Sequence, residues 1–402
     1  MQFLLSAGEA SGDTYGAQLA DALRQLAPSA TFFGMGGEKM RAAGCELLVN
    51  ASEVAVVGLV EVITHLPGIR SRFKHLVAEA ARRKPDAAIL IDFPDFNLRL
   101  ARELHGLGIP VFYFVSPQIW AWRTGRVKQI QKYVRKMIVI FPFEQEFYRR
   151  HGVEVSYVGH PLAFAPPPQI SREEFARQYG LDPAKQWIAL LPGSRRREVR
   201  LNLAPMSEAA ELLQQQGDFE FLLPVASTLS TEVLSQEFRN LAGFKLKAQV
   251  RVGSAGGFSS TTLSATIHFT DNARATLMHS RAAVVASGTA TVEAALSGTP
   301  FVVVYRLAPL TWLLGRPLVK LDTFAMPNLI AGQKIVPELI QEDFTAANVL
   351  RELNAIIPDG PARKKMQDAL KVVQQRLHAS QDAQPPALRA AREIVATLRP
   401  RT

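Results

Sequence analysis

Two acids, Asp92 and Asp95, stand three residues apart in ILIDFPDFN, directly after the apolar run Ala87–Ile91. A carboxylate at the carboxyl end of a buried strand, beside a cleft, can act as a general base. The same pair can also cap the helix that follows. A D-x-x-D metal site would want further ligands, but no histidine lies near and D-x-D does not occur. No metal and no other cofactor is expected.

Three glycine-bearing segments offer anion sites. In SAGEASGDTYG, Gly8 and Gly12 allow close backbone approach before a helix, with Ser11 or Asp13 as its N-cap. Glu9 lies beside Gly8 and could meet an acceptor. In LPGSRRREV, Gly193 and Ser194 turn the chain after a strand, and Arg195 suits bidentate phosphate binding. Glu198 could cap that helix or touch a ligand. In SGTATVEAAL, Ser287, Gly288 and Thr289 open a helix whose N–H groups can hold a diphosphate. Glu293 lies one turn after Thr289, on the same face, where a ribose would follow the diphosphate.

Other segments are ambiguous on their own. Trp120 and Trp122 in YFVSPQIWAWR could line a binding cleft or form a packing cluster. Asn328 follows Pro327 in MPNLIAG, and Gln341 ends VPELIQ; each alone reads as structural. No P-loop, H-E-x-x-H or G-x-S-x-G occurs, and the eight histidines do not cluster. Zinc and serine-hydrolase readings therefore lack support.

The elements that must position these groups are short apolar runs alternating with helical stretches. The first half has runs at Gln2–Ser6, Thr31–Phe33, Ala87–Ile91, Val111–Val115, Met137–Phe141 and Val155–Val158. The second has Trp187–Leu191, Phe219–Pro224, Ala282–Ala286 and Pro300–Tyr305. Little polar alternation breaks them, as expected of parallel strands buried on both faces. Gly16–Leu26 and Asn202–Gln216 read as crossover helices. The pattern breaks at Pro166-Pro167-Pro168, which places a boundary near residues 165–185. We expect an α/β chain of two doubly wound domains, 1–170 and 171–360, with ligands at the strand ends in the cleft between them. A helical tail, 361–402, could pack back on the first domain. The Gly/Ser-rich stretch 251–263 reads as a mobile loop.

Hydrophobic residues are 48% of the 402 and charged residues 20%, enough apolar material for two cores. The single cysteine, Cys45, excludes an internal disulfide framework. The start, MQFLLSAGE, reads as a strand and not as a signal peptide. No run is long and apolar enough to span a membrane. Val56, Leu59, Val60, Ile63 and Leu66 recur at helical spacing before Arg70, Arg72 and Lys74. Such a face suits an anionic bilayer surface, or packs on the protein's own core. Pro67-Gly68 is expected to break this stretch into two helices. A net charge of +10 admits nucleic acid, anionic lipid or phosphorylated substrates. Aromatic residues do not alternate with Lys and Arg, so nucleic acid is not expected as a partner.

The ordered set SAGEASGD, DFPDFN, VSPQIWAWR, VGHPL, LPGSRRREV, SGTATVE, PNLIAG and VPELIQ resembles the lipid-A-disaccharide synthase family, from residue 6 to about 341. The resemblance implies the GT-B fold, two Rossmann-like domains facing a central cleft. It implies joining of UDP-2,3-diacylglucosamine to 2,3-diacylglucosamine 1-phosphate, giving a β-1,6-linked lipid A disaccharide 1-phosphate and UDP, with inversion. It places the enzyme peripherally on the cytoplasmic face of a Gram-negative inner membrane, and it is compatible with a homo-oligomer. Asp92, Arg195 and Asn328 match residues essential in the family, and Glu293 a UDP contact. Asp92 is the expected base; Arg195 and the Ser287–Thr289 helix start would hold the leaving diphosphate. Ala325-Met326 departs from the family's usual Ser-Leu pair, and the loop around Gly253–Thr262 is longer than the family pattern. Another GT-B enzyme acting on a UDP-sugar is the alternative.

Overall fold

The computed structural model describes residues 1–54, 59–226, 228–242, 249–252, 258–261, 265–308, 323–379 and 384–398. The chain divides into two compact units, Met1–Phe164 with Arg376–Thr402, and Ala165–Gln375.

The first unit carries β1 (Gln2–Ala7), β2 (Thr31–Gly36), β3 (Cys45–Asn50), β4 (Ala87–Ile91), β5 (Val111–Phe114), β6 (Lys136–Val139) and β7 (Val155–Tyr157). They pair in parallel in the order β3-β2-β1-β4-β5-β6-β7. Successive side chains on a strand point to opposite faces. Phe3, Leu5, Ile89, Ile91 and Phe112 therefore enter one core, while Leu4, Ala88, Leu90, Val111 and Tyr113 enter the other. Two buried faces leave no place for polar alternation, which is why these runs are continuously apolar. The sequence reading misses β3, an edge strand with exposed Glu46 near its start.

The helix Leu59–Arg83 runs unbroken through Pro67, contrary to the expected two helices. Packing overrides the local signal: Ile69, Phe73, Leu76, Val77 and Ala80 all meet the core at helical spacing. Arg72 pairs with Glu53. Residues 55–58 and the side chains of 59–66, the apolar half of the stretch considered for membrane contact, lie outside the described residues. The last helix, Pro386–Leu398, packs along the first, Ala10–Leu26. Ala390, Ala391, Ile394 and Val395 share a core with Leu19, Ala20 and Leu23. Lys136 Nζ bonds Glu393 at 2.6 Å.

The second unit carries β8 (Gln186–Leu191), β9 (Phe219–Pro224), β10 (Gln249–Val252), β11 (Phe258–Thr261), β12 (Thr266–Thr270), β13 (Ala282–Ala286), β14 (Phe301–Tyr305) and β15 (Glu338–Ile340). Their order is β10-β11-β12-β9-β8-β13-β14-β15. Pairing is parallel from β12 to β15 and antiparallel at β10-β11-β12. The stretch expected to be a mobile loop thus contributes the end of β10 and all of β11; residues 253–257 and 262–264 lie outside the described residues. No described helix is long and apolar enough to cross a membrane.

Candidate active site

In the first unit β4 ends at Ile91, and the next two residues leave the strand in a conformation L residues rarely take. Asp92 has φ +46° and Phe93 φ +50°. Each such residue costs about 1–3 kcal/mol unless its surroundings hold it. Here they do. The Asp92 N–H donates to the Phe114 carbonyl at 3.2 Å. The Asp92 carbonyl accepts from Asn97 Nδ2 at 2.8 Å and from the Tyr113 hydroxyl at 2.6 Å. Asn97 Nδ2 also reaches the carbonyls of Ser6 and Ile91, and its Oδ1 accepts from Ser6 Oγ. One buried amide thereby ties the ends of β1 and β4 to the turn. Gly8 makes room for this geometry: a Cβ there would sit 2.2 Å from Cγ of Phe93.

Burial pushes the half-buried Asp92 carboxyl up to about 6, helped by the negative charge of Glu9, against a lowering contribution from the Phe93 N–H. It is thus ionised at neutral pH yet basic enough to accept a proton, which suits a general base.

The neighbouring candidates divide. Glu9 is exposed and stands at the N-cap of the Ala10–Leu26 helix, so neither Ser11 nor Asp13 caps it. Ser11 is exposed on the first turn, and a Cβ on Gly12 would sit 3.3 Å from the Ala7 side chain. Asp13 is turned inward, 8% exposed, and accepts from the N–H groups of Gly37, Lys39 and Met40. Its carboxylate caps the short helix Glu38–Ala42 rather than its own. Asp95 is exposed and paired with Arg123 at 3.2 Å and with Arg126. Desolvation raises its carboxyl, but the Arg126 hydrogen bond and the two arginine charges outweigh that and hold it below the usual range.

Of the two places open to Trp120, it takes the packing one. Its ring is buried edge-on against Phe143, and Nε1 donates to Glu144 at 3.2 Å. Burial carries Glu144 up to about 8, and it caps the Pro142–Arg150 helix through the Phe141 N–H. The side chain of Trp122 lies outside the described residues.

In the second unit β8 leads into a turn at Gly193, φ +123°. A Cβ on Gly193 would meet Glu198 Oε2 at 2.5 Å. That carboxylate accepts from the N–H groups of Ser194 at 3.1 Å and Arg195 at 3.3 Å. The expected backbone cradle at Gly193 and Ser194 is therefore filled by the chain's own Glu198. What remains for a phosphate is the Arg195 guanidinium, with 69% of its side chain exposed and 3.6 Å from Glu198.

The turn after β13 differs. Ser287 is fixed by its N–H to the Val304 carbonyl, 2.9 Å, and its Oγ to the Phe324 carbonyl, 3.1 Å. Gly288, φ +151°, precedes the Thr289–Ser297 helix, and nothing lies within 4 Å of where its Cβ would be. Thr289 is exposed. An anion can approach this helix start on the backbone itself. Glu293, half-buried one turn on, is raised above the usual range by burial against the lowering charge of Arg274. A carboxyl partly withdrawn from water gains from a hydroxyl partner.

Asn328 and Gln341 take structural places. Asn328 is 1% exposed; its Nδ2 donates to the Val336 carbonyl and to Glu338, and its Oδ1 accepts from the N–H groups of Ile335 and Val336. That amide is saturated by the chain's own groups. Glu338 also accepts from Thr323 Oγ1 and from the N–H groups of Phe324 and Ala325. Because the Phe324 carbonyl accepts from Ser287, Asn328 reaches the Ser287 turn through Glu338 and Phe324. Gln341, φ +53°, pairs its amide with both main-chain groups of Leu307. The two organisers, Asn97 and Glu338, lie inside DFPDFN and VPELIQ. The sequence reading assigns neither of them a role of its own. Among the described residues no cluster of His, Cys, Asp and Glu could hold a metal.

A family model described as Lipid-A-disaccharide synthetase matches residues 3–255 and 257–391. The chain is 53% identical over 396 residues to a lipid-A-disaccharide synthase of Koribacter versatilis (strain Ellin345), covering 98% of each chain. It is 51% identical over 373 residues to one of Acidobacterium capsulatum, covering 93% of this chain and 91% of that one. Among solved structures it is similar to CalG4, the calicheamicin glycosyltransferase, with a TM-score of 0.60 at 14% identity, over 99% of this chain and 98% of that chain. It is also similar to a UDP-N-acetylglucosamine 2-epimerase of Neisseria meningitidis, with a TM-score of 0.56 at 11% identity, over 99% of each chain. At such identity these likenesses carry the fold alone: two Rossmann-like parallel-sheet units of the GT-B type.

Proposed function

The chain belongs to the lipid-A-disaccharide synthase family, and from that premise we propose that it condenses UDP-2,3-diacylglucosamine with 2,3-diacylglucosamine 1-phosphate, inverting the anomeric centre, to give the β-1,6-linked lipid A disaccharide 1-phosphate and UDP. That it is a glycosyltransferase of lipid A disaccharide formation is given by its family; the acyl sugars, the stereochemistry and the residue roles are our reading.

Asp92 takes the proton of the acceptor 6-hydroxyl as its oxygen attacks the donor anomeric carbon. The bond from that carbon to the UDP oxygen breaks on the opposite side, and the electron pair leaves with UDP. The diphosphate gains negative charge as it departs. The helix start at Ser287–Thr289 and the Arg195 guanidinium supply fixed positive partners for it, and Glu293 accepts a ribose hydroxyl. The observation that carries this reading is the locked Asp92 turn, with a carboxyl raised to about 6 at the end of β4.

The acyl chains of such substrates require contact with a membrane. Arg70 and Lys74, exposed on the Leu59–Arg83 helix, support peripheral binding to anionic lipid at the cytoplasmic face of the inner membrane. The test is UDP release from UDP-2,3-diacylglucosamine with and without 2,3-diacylglucosamine 1-phosphate, beside Asp92→Asn. Acceptor-dependent release that the variant lacks is expected. Release without acceptor, or only with a different acceptor, would move the chain to another GT-B activity on a UDP-sugar.

A further inference from the structure

The Asp92 turn holds two groups that take no direct part in the proposed reaction, the Tyr113 hydroxyl and the Asn97 amide. Both are fully buried. Tyr113 lies on β5, one strand over from β4, and its ring belongs to the core on one face of the sheet. Burial first, and the nearby Asp92 charge second, raise the phenol well above its usual range, so it remains a donor throughout the working pH range. Its proton is given to a main-chain carbonyl, that of Asp92, at 2.6 Å.

A main-chain contact of this kind decides a side-chain direction. The Asp92 N–H is held by Phe114 on one side of the α-carbon, which restrains φ. The carbonyl is held on the other side, which restrains ψ. With both torsions fixed, the bond from Cα to Cβ has one direction. The conformation so fixed is left-handed at two successive non-glycine residues, which the chain would leave if released. Asn97 alone is a poor lock. Its Nδ2 has two hydrogens and three carbonyl acceptors, at 2.8, 3.2 and 3.2 Å. Tyr113 commits an undivided hydrogen to the same oxygen.

We propose that Tyr113, together with Asn97, is a positioning residue of the transfer reaction, holding the Asp92 main chain in its left-handed turn so that the carboxylate points at the acceptor hydroxyl. The proposal rests on the reading of Asp92 as base. It assigns neither residue a contact with substrate.

Tyr113→Phe removes one oxygen and keeps the ring in the core. In the full chain, kcat should fall about ten- to a hundredfold while KM for both substrates stays within about twofold, since misaiming the base affects the reacting geometry and not binding. The acid limb of kcat/KM against pH, near 6 in the unaltered chain, should also move. A merely structural role would lower the melting temperature and leave that limb in place. Asn97→Ala, which also unties the Ser6 and Ile91 carbonyls, provides a second variant with the same expected signature. Unaltered kcat and an unaltered acid limb in folded Tyr113→Phe would overturn the proposal, as would a loss in either variant confined to KM. Asp92→Asn, measured in parallel, separates the two readings. If it keeps its kcat, the base assignment fails. If it is inactive while Tyr113→Phe behaves as the unaltered chain, the positioning role alone fails.

Discussion

The turn after β4 and the turn after β13 occupy equivalent places in two Rossmann-like sheets, yet they are built on opposite plans. At Asp92 the backbone is strained, non-glycine, and held by buried donors and an acceptor from neighbouring elements. At Gly288 the backbone is glycine, with open space where a side chain would be. The difference matches the roles proposed for the two turns. A base works through one carboxylate whose direction matters, so side chains are committed to fixing it. A helix start binds an anion through main-chain N–H groups, so side chains must stay out of the way. Even the two glycines differ in kind: Gly8 is required by a neighbouring ring, Gly288 by its own torsion.

The largest effect should come from the group that the first turn exists to aim. Asp92→Asn is expected to lower kcat/KM about 10²–10⁴-fold, read as acceptor-dependent UDP release. Its stability should move the other way. The folded carboxyl is raised from 3.8 to about 6, so its ionised form is disfavoured by folding. That penalty is fully present above about pH 6 and vanishes below the unfolded value. Denaturant unfolding should show the variant about 1–2 kcal/mol more stable at about pH 8 and no more stable at about pH 3, after allowance for partial solvation. A variant less stable at the higher pH would mean that the carboxylate is a structural asset.

A paired substitution sharpens the contrast between the turns. Gly8→Ala drives a methyl into the Phe93 ring and should cut kcat about tenfold or more with little change in UDP affinity. Gly288→Ala meets no neighbour but cannot easily hold φ +151°, and should weaken UDP binding about tenfold by calorimetry. If both variants lose the same property, the two turns do not divide the work as described. A smaller effect is expected at Glu338→Gln. It keeps the shape but replaces an acceptor-only carboxylate facing four donors, and should raise the donor KM roughly three- to tenfold through the Phe324–Ser287 link. An unchanged KM would disconnect Asn328 and Glu338 from the helix start.

Much of this architecture is legible because burial on both faces writes itself as uninterrupted Val, Ile, Leu and Phe. That pattern locates β1, β4, β5, β8, β9, β13 and β14 within a residue or two, and with them the strand ends where Asp92, Arg195 and Ser287 lie. It misses β3, β12, β15 and the antiparallel β10–β11 pair, where the strands are short or carry polar residues. Roles are less legible than places. Asp13, Trp120, Asn328 and Gln341 are polar or aromatic, but what each of them bonds is not written beside it. Their partners, Gly37–Met40, Glu144, Val336 with Glu338, and Leu307, come from other segments, and no local spacing announces them. Nor does Asp-Phe-Pro signal a left-handed turn; Asn97 and Tyr113 impose it from outside.

The last described helix lies on the first. Because Ala390, Ala391, Ile394 and Val395 complete the core that Leu19, Ala20 and Leu23 begin, the first unit cannot finish until Val395 has been translated. At roughly 5–20 residues per second, on the order of 10–40 s separate the emergence of Phe164 from that of Pro386. Throughout that interval a nascent chain carries an uncovered apolar face on Ala10–Leu26. The emergence of Pro386–Leu398 thus sets when the N-terminal core can close.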